Sequence, residues 1–564
     1  MKLIVTARIL ALALGLSVSV PARAQESLVF DSNILFDNNA GSYGTESGGP
    51  ACPGGMFTTT QLATVKFTRN QSVNPLLNSQ VYNLGNPRWD PQLGSPALTA
   101  WGAAPLRASA IHPWFQDVCY IGALNYTARV DANDWTTGWT YYNQNGGADR
   151  TDINLALPAI NVLSDITAHR TFSPDTLYYL VGRVAVQPPA TLTVLPGTVV
   201  LGSGVGSYLV IERGAKINAN GTRTQPIIFT SGSNLGSQTP GDWGGVVLHG
   251  RAQANCAAVM SCALTSATAS CISEGNAGMF GGTDDTDDKG VIRYARVEYS
   301  GLVIATDNEL NCWTMNAVGS QTVMEYMQAC FGTDDGFEWF GGDTRNRYLV
   351  ANANQDDNLD WQMGARGLVQ FAVVSQTALT GTDKAVEADN NEFNFNCTLR
   401  SNMKMSNLTL VGPGPASDVI GGPGINLRRG TAGTIVNSII QGFTGAGLRI
   451  QNAETFAVCA GTAPAAQTCT SDAGPEVRNG FTVAASRSPT FDRTSIQFNL
   501  PEARHVRVNV FDAAGRLVET LADAEFEAGA HSLPWNAAKQ ASGAYFFRVT
   551  AGTETETRRV VVLR

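Results

Sequence analysis

Charge is scarce in this chain. Asp, Glu, Lys and Arg make up only 15% of its 564 residues, and acids outnumber bases 47 to 38, a net charge of -9. A nucleic-acid partner calls for a clustered basic face, so that balance argues against one. Histidine numbers only five, scattered along the chain, and no H-E-x-x-H occurs. The G-x-S-x-G elbow and the G-x-x-x-x-G-K-[ST] loop are missing too, which removes zincin, serine-hydrolase and nucleotide-loop chemistry. None of the ten cysteines forms a C-x-x-C pair, which excludes zinc-ribbon and thioredoxin readings. No long amphipathic helical pattern stands out, and no stretch beyond the N-terminus is apolar enough to cross a bilayer.

What remains is glycine-rich and strand-like. From about residue 190, short β-branched runs such as Leu192-Thr193-Val194 and Tyr208-Leu209-Val210-Ile211 alternate with Gly, Pro and Asn. A polar phrase then recurs: Asp307-Asn308-Glu309-Leu310-Asn311-Cys312, Asp334-Asp335-Gly336-Phe337-Glu338-Trp339 and Asp356-Asp357-Asn358-Leu359-Asp360-Trp361. Asn390-Asn391-Glu392-Phe393-Asn394-Phe395 reads as a degenerate fourth copy. Between the copies runs a second strand, seen at Arg293–Val297, Met324–Met327, Tyr348–Ala351, Leu368–Val373, Met403–Leu410 and Thr434–Ile440. Phe337 to Leu359 is 22 residues and Tyr348 to Leu368 is 20, so the two strands advance together. One turn of a right-handed parallel β-helix per repeat accounts for this, with the longer spacings as insertions. The first-strand column continues through Ile425-Asn426-Leu427 and Leu448-Arg449-Ile450.

The expected organisation has four parts. Residues 1–24 read as a secretory signal, with Lys2 and Arg8 before an apolar run and Ala22-Arg23-Ala24 at the cleavage point. Residues 25–185 form an irregular region whose aromatics, such as Trp135 and Trp139, read as packing. The β-helix spans 186–478, and an alternating β-sandwich occupies 479–564. Most cysteines are expected in disulfides: Cys52 with Cys119, Cys459 with Cys469, some pairing among Cys256, Cys262 and Cys271, and Cys312 beside Cys330 in successive strands.

The segment Gly241-Asp242-Trp243-Gly244-Gly245-Val246-Val247-Leu248-His249-Gly250, with Asn308–Asn311 and Asp334–Gly342, resembles a set of secreted bacterial β-helix proteins over roughly residues 185 to 455. The C-terminal pattern is similar to the sorting domain of type IX secretion cargo, which has an FlgD-like Ig fold. Phe498-Asn499-Leu500-Pro501, Gly515-Arg516-Leu517-Val518, Trp535, Ser542-Gly543-Ala544-Tyr545 and the terminal Arg559–Arg564 carry it. The resemblance implies export to the outside or the outer cell surface, with the secretion machinery as partner.

Function rests on the repeated acids. Alternation turns Phe337, Trp339, Leu359 and Trp361 inward and Glu338 and Asp360 outward. Adjacent parallel strands lie about 4.8 Å apart, so Glu338 stacks on Asp360 while Asp334-Asp335 stacks on Asp356-Asp357. Six carboxylates on one patch call for a counter-charge, and Ca²⁺, with its tolerance for six to eight oxygen ligands, suits them. The candidate metal ligands are therefore Asp334, Asp335, Glu338, Asp356, Asp357 and Asp360, and Asp284-Asp285-Thr286-Asp287-Asp288 is a second candidate site. Asn311, Asn394 and Asn426 read as stacking ladders, and His249 as structural. The resulting expectation is a binding, adhesive or structural surface protein with an extracellular glycan as partner. The alternative is a carbohydrate-active enzyme, a glycosidase using Glu338 and Asp360 or a lyase with Arg345, Arg347 or Arg366 as base.

Overall fold

Alternating apolar residues of the recurrent phrases pack against one another, and that packing builds the solenoid. The computed structural model describes residues 150–256, 271–305, 308–377, 382–414, 422–459 and most of 482–562, with shorter pieces between 28 and 141. The signal segment, the boundary at 478, and Cys52, Cys119, Cys262 and Cys469 lie outside the described residues.

Two parallel sheets climb side by side as a right-handed β-helix, the sense favoured for strand crossovers. The nine-stranded sheet contains Trp313–Asn316, Phe337–Phe340, Leu359–Gln362, Val386–Ala388, Ile425–Leu427 and Leu448–Ile450. The sixteen-stranded sheet receives the longer strands between them, including Val323–Cys330, Arg345–Asn352, Leu368–Ser375 and Asn402–Val411. Every second-strand segment expected from sequence falls in this second sheet. The interior between the sheets holds Trp313, Trp339 and Trp361, all fully buried, with Trp313 beside Phe337 and Trp339 beside Trp361 on successive rungs. Their indole N–H groups are satisfied by Gln328 O (2.8 Å), Asn346 Oδ1 (3.2 Å) and Thr431 Oγ1 (3.0 Å), so the rings bury area without orphaning a donor.

The long strands bend at one residue each. Tyr294, Tyr326, Tyr348, Phe371 and Asn407 have positive φ, between 47° and 62°, and the ladder pairing skips them. Their side chains stack outside the bend: ring centroids are 4.3 Å apart for Tyr294–Tyr326, 4.4 Å for Tyr326–Tyr348 and 5.2 Å for Tyr348–Phe371. On this column lies the N-terminal region. Trp135 packs on Tyr348 and Trp139 on Tyr294 and Tyr326, while Gln328 and Gln370 exchange hydrogen bonds with the backbone of Tyr141 and Gln116. Leu28–Asp31 and Ile34–Phe36 pair with Ala432–Val436 and Ile439–Gln441, adding a rung at the far end of the solenoid. The described pieces of residues 28–141 thus form a strap from the last coil back along the corner.

Parallel strands begin earlier than the texture change near 186, at Ala159–Val162 and Leu177–Leu180. The first of these is a terminal edge strand with three of its four residues exposed, so it lacks the apolar run that marks inner coils. Among the described cysteines, Cys256 bonds Cys271 and Cys397 is also disulfide-bonded. Cys312 and Cys330 are buried free thiols inside the solenoid, against the expectation of a disulfide for most cysteines. C-terminally, Thr482–Ala485, Arg493–Leu500 and Gly529–Asn536 form one antiparallel sheet, and Leu517–Phe526, Arg504–Asp512, Gly543–Ala551 and Glu554–Val562 another. They enclose Phe498, Val508, Trp535, Phe547 and Val560.

Candidate functional site: an acidic cleft on the nine-stranded sheet

The outward column of the nine-stranded sheet changes character along the solenoid. In register it reads Val210, Val247, Thr314, Glu338, Asp360, Glu387, Asn426 and Arg449. Glu338 sits directly beside Asp360, as the alternation requires. These acids face away from the core yet are not open to water: Glu338 is 4% exposed, Glu387 5% and Asp360 8%. They line a cleft of about 140 Å³ with Glu274, Glu309, Asp334, Asp335, Asp356, Asp357, Asp389 and Glu392, against two guanidiniums, Arg428 and Arg429.

The turns beneath the column are tied by their own carboxylates and amides. Asn311 Oδ1 accepts the N–H of Asp335 (3.2 Å), Asp335 Oδ1 that of Asp357 (2.9 Å) and Asp357 Oδ1 that of Lys384 (2.7 Å). One oxygen of each turn residue is thus spent on stacking, which holds the other at the cleft. Asn311 also donates to Glu338, whose second oxygen accepts from Gln362 (3.0 Å).

Counter-charge is uneven. Lys384 meets Asp357 (3.5 Å), Glu387 (2.9 Å) and Asp383; Arg428 meets Asp389 (2.8 Å) and Glu387; Arg429 meets Asp389 (2.8 Å). Among the described residues, no Lys or Arg makes an ion pair with Asp334, Asp335, Glu338 or Asp360. Asp360 Oδ1 is buried with no hydrogen-bond partner among the described residues. Burial, then the charges of Glu274 and Asp360, holds the Glu338 carboxyl well above the usual range. Burial with Glu338 and Asp360 does the same for Asp335, and burial with Asp356 and Glu309 for Asp334. Burial and the Glu387 charge raise Asp360 and Asp357 against the pull of Lys384. Asp356 is pushed up to about 6, by burial first, with Lys384 opposing. In an excluded site, like charges this close favour either protonation or a bound cation. Oxygens of Asp335, Glu338 and Asp360 converge within 4.8 Å, as do those of Asp334, Asp335 and Asp356, and of Asp356, Asp357 and Asp383.

All six candidate ligands therefore lie in one cleft. Two of the four phrases, however, are not rungs of it. Asn308–Leu310 pairs antiparallel with Leu302–Ala305, and the rung is Trp313–Asn316, three residues later, with Asn311 in the position of Asp335. The 390–395 phrase is a loop, and the rung before it is Val386–Ala388. Asp383 and Glu387 were missed for that reason, although Thr382-Asp383-x-x-Val386-Glu387 repeats Thr333-Asp334-x-x-Phe337-Glu338 and would have shown them. Asn311, Asn394 and Asn426 do not form one ladder. Asn311 is a turn residue, Asn394 is in the loop, and Asn426 belongs to the outward column and donates to Glu387. Glu274 comes from an insertion outside the repeat and carries no sequence signal.

The 284–288 run does not converge. Asp285 pairs with Arg366 (2.8 Å) and Asp288 with Lys216 (2.6 Å), while Asp284 caps Thr286. Arg345 pairs with Asp343 and Arg347 stacks on Trp114, so neither they nor Arg366 reaches the cleft. His249 is fully buried against Phe280.

Comparison with known families agrees with this architecture. Residues 485–555 match the FlgD Ig-like domain, and residues 164–495 match the pectate-lyase-like β-helix domain. No curated protein and no solved structure matches the chain. No helix among the described residues is long and apolar enough to cross a membrane. With over half of its 564 residues inside the first match, the chain belongs to the pectate-lyase-like β-helix family.

Proposed function

We propose that this is an exported, surface-associated β-helix protein that holds Ca²⁺ in the acidic cleft and uses it to bind an acidic extracellular glycan. The observation that carries the reading is the unpaired half of the cleft. Asp335, Glu338 and Asp360 converge there, and Asp360 keeps a buried, unpartnered oxygen. Asp334 and Asp356 extend the donor set; Asp357 contributes least, because Lys384 already neutralises it. Carboxylates of irregular spacing suit Ca²⁺ better than Mg²⁺, which demands near-octahedral geometry. An anionic cleft repels a uronate unless a cation bridges the two, so polymer binding depends on the metal. The C-terminal Ig-like domain fits a role in export or attachment through the secretion machinery, as its likeness to sorting domains suggests.

A second reading has a specific observation behind it. The family description names a lyase, and Arg428 and Arg429 stand at the cleft where a lyase needs a base. Burial pulls the Arg428 guanidinium down, but Asp389 and Glu387 overcome this and hold it above its ordinary range. A group that keeps its proton so firmly is a poor general base. The Glu338 and Asp360 carboxyls are both shifted upward, whereas a retaining glycosidase needs the two members of its pair pushed apart. Binding is therefore preferred over cleavage.

The test is a thermal melt and calorimetric titration of the full chain with Ca²⁺ and with chelator, on wild type and Asp360→Asn. At a hundredfold excess over Kd, Ca²⁺ should stabilise by about 2.7 kcal/mol, and the variant should lose most of it. No calcium response in wild type overturns the cation reading. Incubation with a uronate polymer should give saturable, Ca²⁺-dependent binding and no new unsaturated or reducing ends; such ends, lost in Glu338→Gln, would favour the enzyme.

A further inference from the structure

One wall of the cleft does not belong to the solenoid. Cys271–Ile272 and Met279–Phe280 form a small antiparallel hairpin of their own, outside both parallel sheets. One end is tethered by the Cys256–Cys271 disulfide, and just past the other the Gly281 N–H donates to Gly250 O (2.8 Å). The turn between the strands carries Glu274 to the cleft. There burial, then the charges of Asp334, Glu309 and Asp360, raises its carboxyl well above the usual range.

The underside of this hairpin is poorly matched to its floor. Phe280 packs on Phe340 and His249, and Asn316 donates to Ser273 Oγ (2.8 Å). A Cβ on Gly278 would stand 3.0 Å from His249 Cε1, so the contact is close. Yet both ring nitrogens of His249 and Oδ1 of Asn316 are buried with no hydrogen-bond partner among the described residues. His249 and Asn316 are neighbours in register, so these atoms share one patch under the hairpin. Each unmet polar group counts against the seated position, and so does a carboxylate brought up to other carboxylates. The top of the hairpin gains little in return, for Ile272 and Met279 are 55% and 45% exposed.

We propose that Cys271–Phe280 is a cation-locked lid and that Glu274 is the ligand it delivers. The proposal rests on the cation reading above and adds a moving part to it. The unpartnered Asp360 oxygen marks the place on the sheet where the cation is held from below. With a divalent ion there, the repulsion facing Glu274 becomes coordination, and the hairpin is drawn down over its unsatisfied floor. Without the ion, the same repulsion and the same unmet groups favour opening about the disulfide at one end and Gly281 at the other. The ligand set is then split between the rigid repeat and a movable insertion, so glycan entry is gated by the metal that binds the glycan.

The experiment is hydrogen exchange of the full chain with Ca²⁺ alone and with chelator, reading the amides of 272–280, beside Ca²⁺ affinity from calorimetry. Ca²⁺ should slow exchange in this hairpin at least tenfold in wild type. Glu274→Gln should bind Ca²⁺ roughly tenfold more weakly and lose the protection, with coils distant from the cleft unaffected. Cys256→Ser/Cys271→Ser should keep a cation site but show faster exchange in the hairpin at every Ca²⁺ concentration. Ca²⁺ binding by wild type with no change in 272–280 overturns the lid, as does Glu274→Gln that matches wild type in both readouts. Those outcomes leave the cation site standing. A wild-type chain that binds no Ca²⁺ overturns the site and the lid together.

Discussion

Trp339 and Glu338 are neighbours in the chain and stand on opposite faces of one strand. Inward, Trp339 stacks between Met315 and Trp361; outward, Glu338 stacks between Thr314 and Asp360. Both columns are buried. A parallel β-helix multiplies whatever its repeat presents, since each residue meets its equivalents one rung above and below. Repeated tryptophan gains apolar contact with each added rung. Repeated carboxylate accumulates repulsion, and it persists only where something outside the column compensates. On the C-terminal side of the cleft that something is Lys384, Arg428 and Arg429. On the other side no Lys or Arg among the described residues makes an ion pair with Asp335, Glu338 or Asp360.

The comparison can be broken most severely from the inner face. Trp339→Ala removes a fully buried ring and should cost about 3–5 kcal/mol. Chemical denaturation, with and without Ca²⁺, should show the same loss in both conditions, because the inner column does not depend on the ion.

The outer face should respond with the opposite sign. In chelator, Glu338→Gln/Asp360→Asn should be more stable than wild type by about 1–3 kcal/mol, as two buried charges and an unmet acceptor are relieved. In Ca²⁺ the order should reverse. A double variant less stable than wild type in chelator would mean that the carboxylates are compensated by something other than a bound ion.

Acidity should sharpen the same contrast, with the smallest effect. Carboxyls whose folded pKa is raised bind more protons folded than unfolded, so stability is fully present below the unfolded value and is lost as pH rises through the folded one. For Asp356 that window runs from the unfolded value of 3.8 to about 6; the cleft walls crowd its carboxyl, but the side chain still reaches open solvent, and screening limits the effect to about 1 kcal/mol. Chelated protein should therefore melt higher at pH 5 than at pH 8. With Ca²⁺ the dependence should flatten or invert, and binding should release protons measurable as buffer-dependent heat.

The inner column was legible from two rungs, because period-2 alternation of Phe337, Trp339, Leu359 and Trp361 states which face each residue takes. The outer pair Glu338 and Asp360 followed from the same parity. Rung identity failed where the chain inserts between coils: a hairpin at 302–310 and a loop at 390–395 carry phrases that look like rungs but do not pair as rungs. Periodicity is a local signal, and an insertion resets its phase without leaving a mark.

What this sequence determined by itself is the period, and with it the parallel solenoid, the stacked tryptophans and the stacked acids. Those are nearest-neighbour consequences of a repeat and need no distant partner. The tertiary structure alone decided what covers the acids and what covers the corner. Glu274 reaches the cleft from a disulfide-tethered insertion, Arg428 and Arg429 arrive from two coils away, and residues 28–36 complete a sheet some four hundred residues further on. Such contacts join segments that share no periodicity, so only the closed solenoid, by fixing which loops emerge side by side, could bring them together.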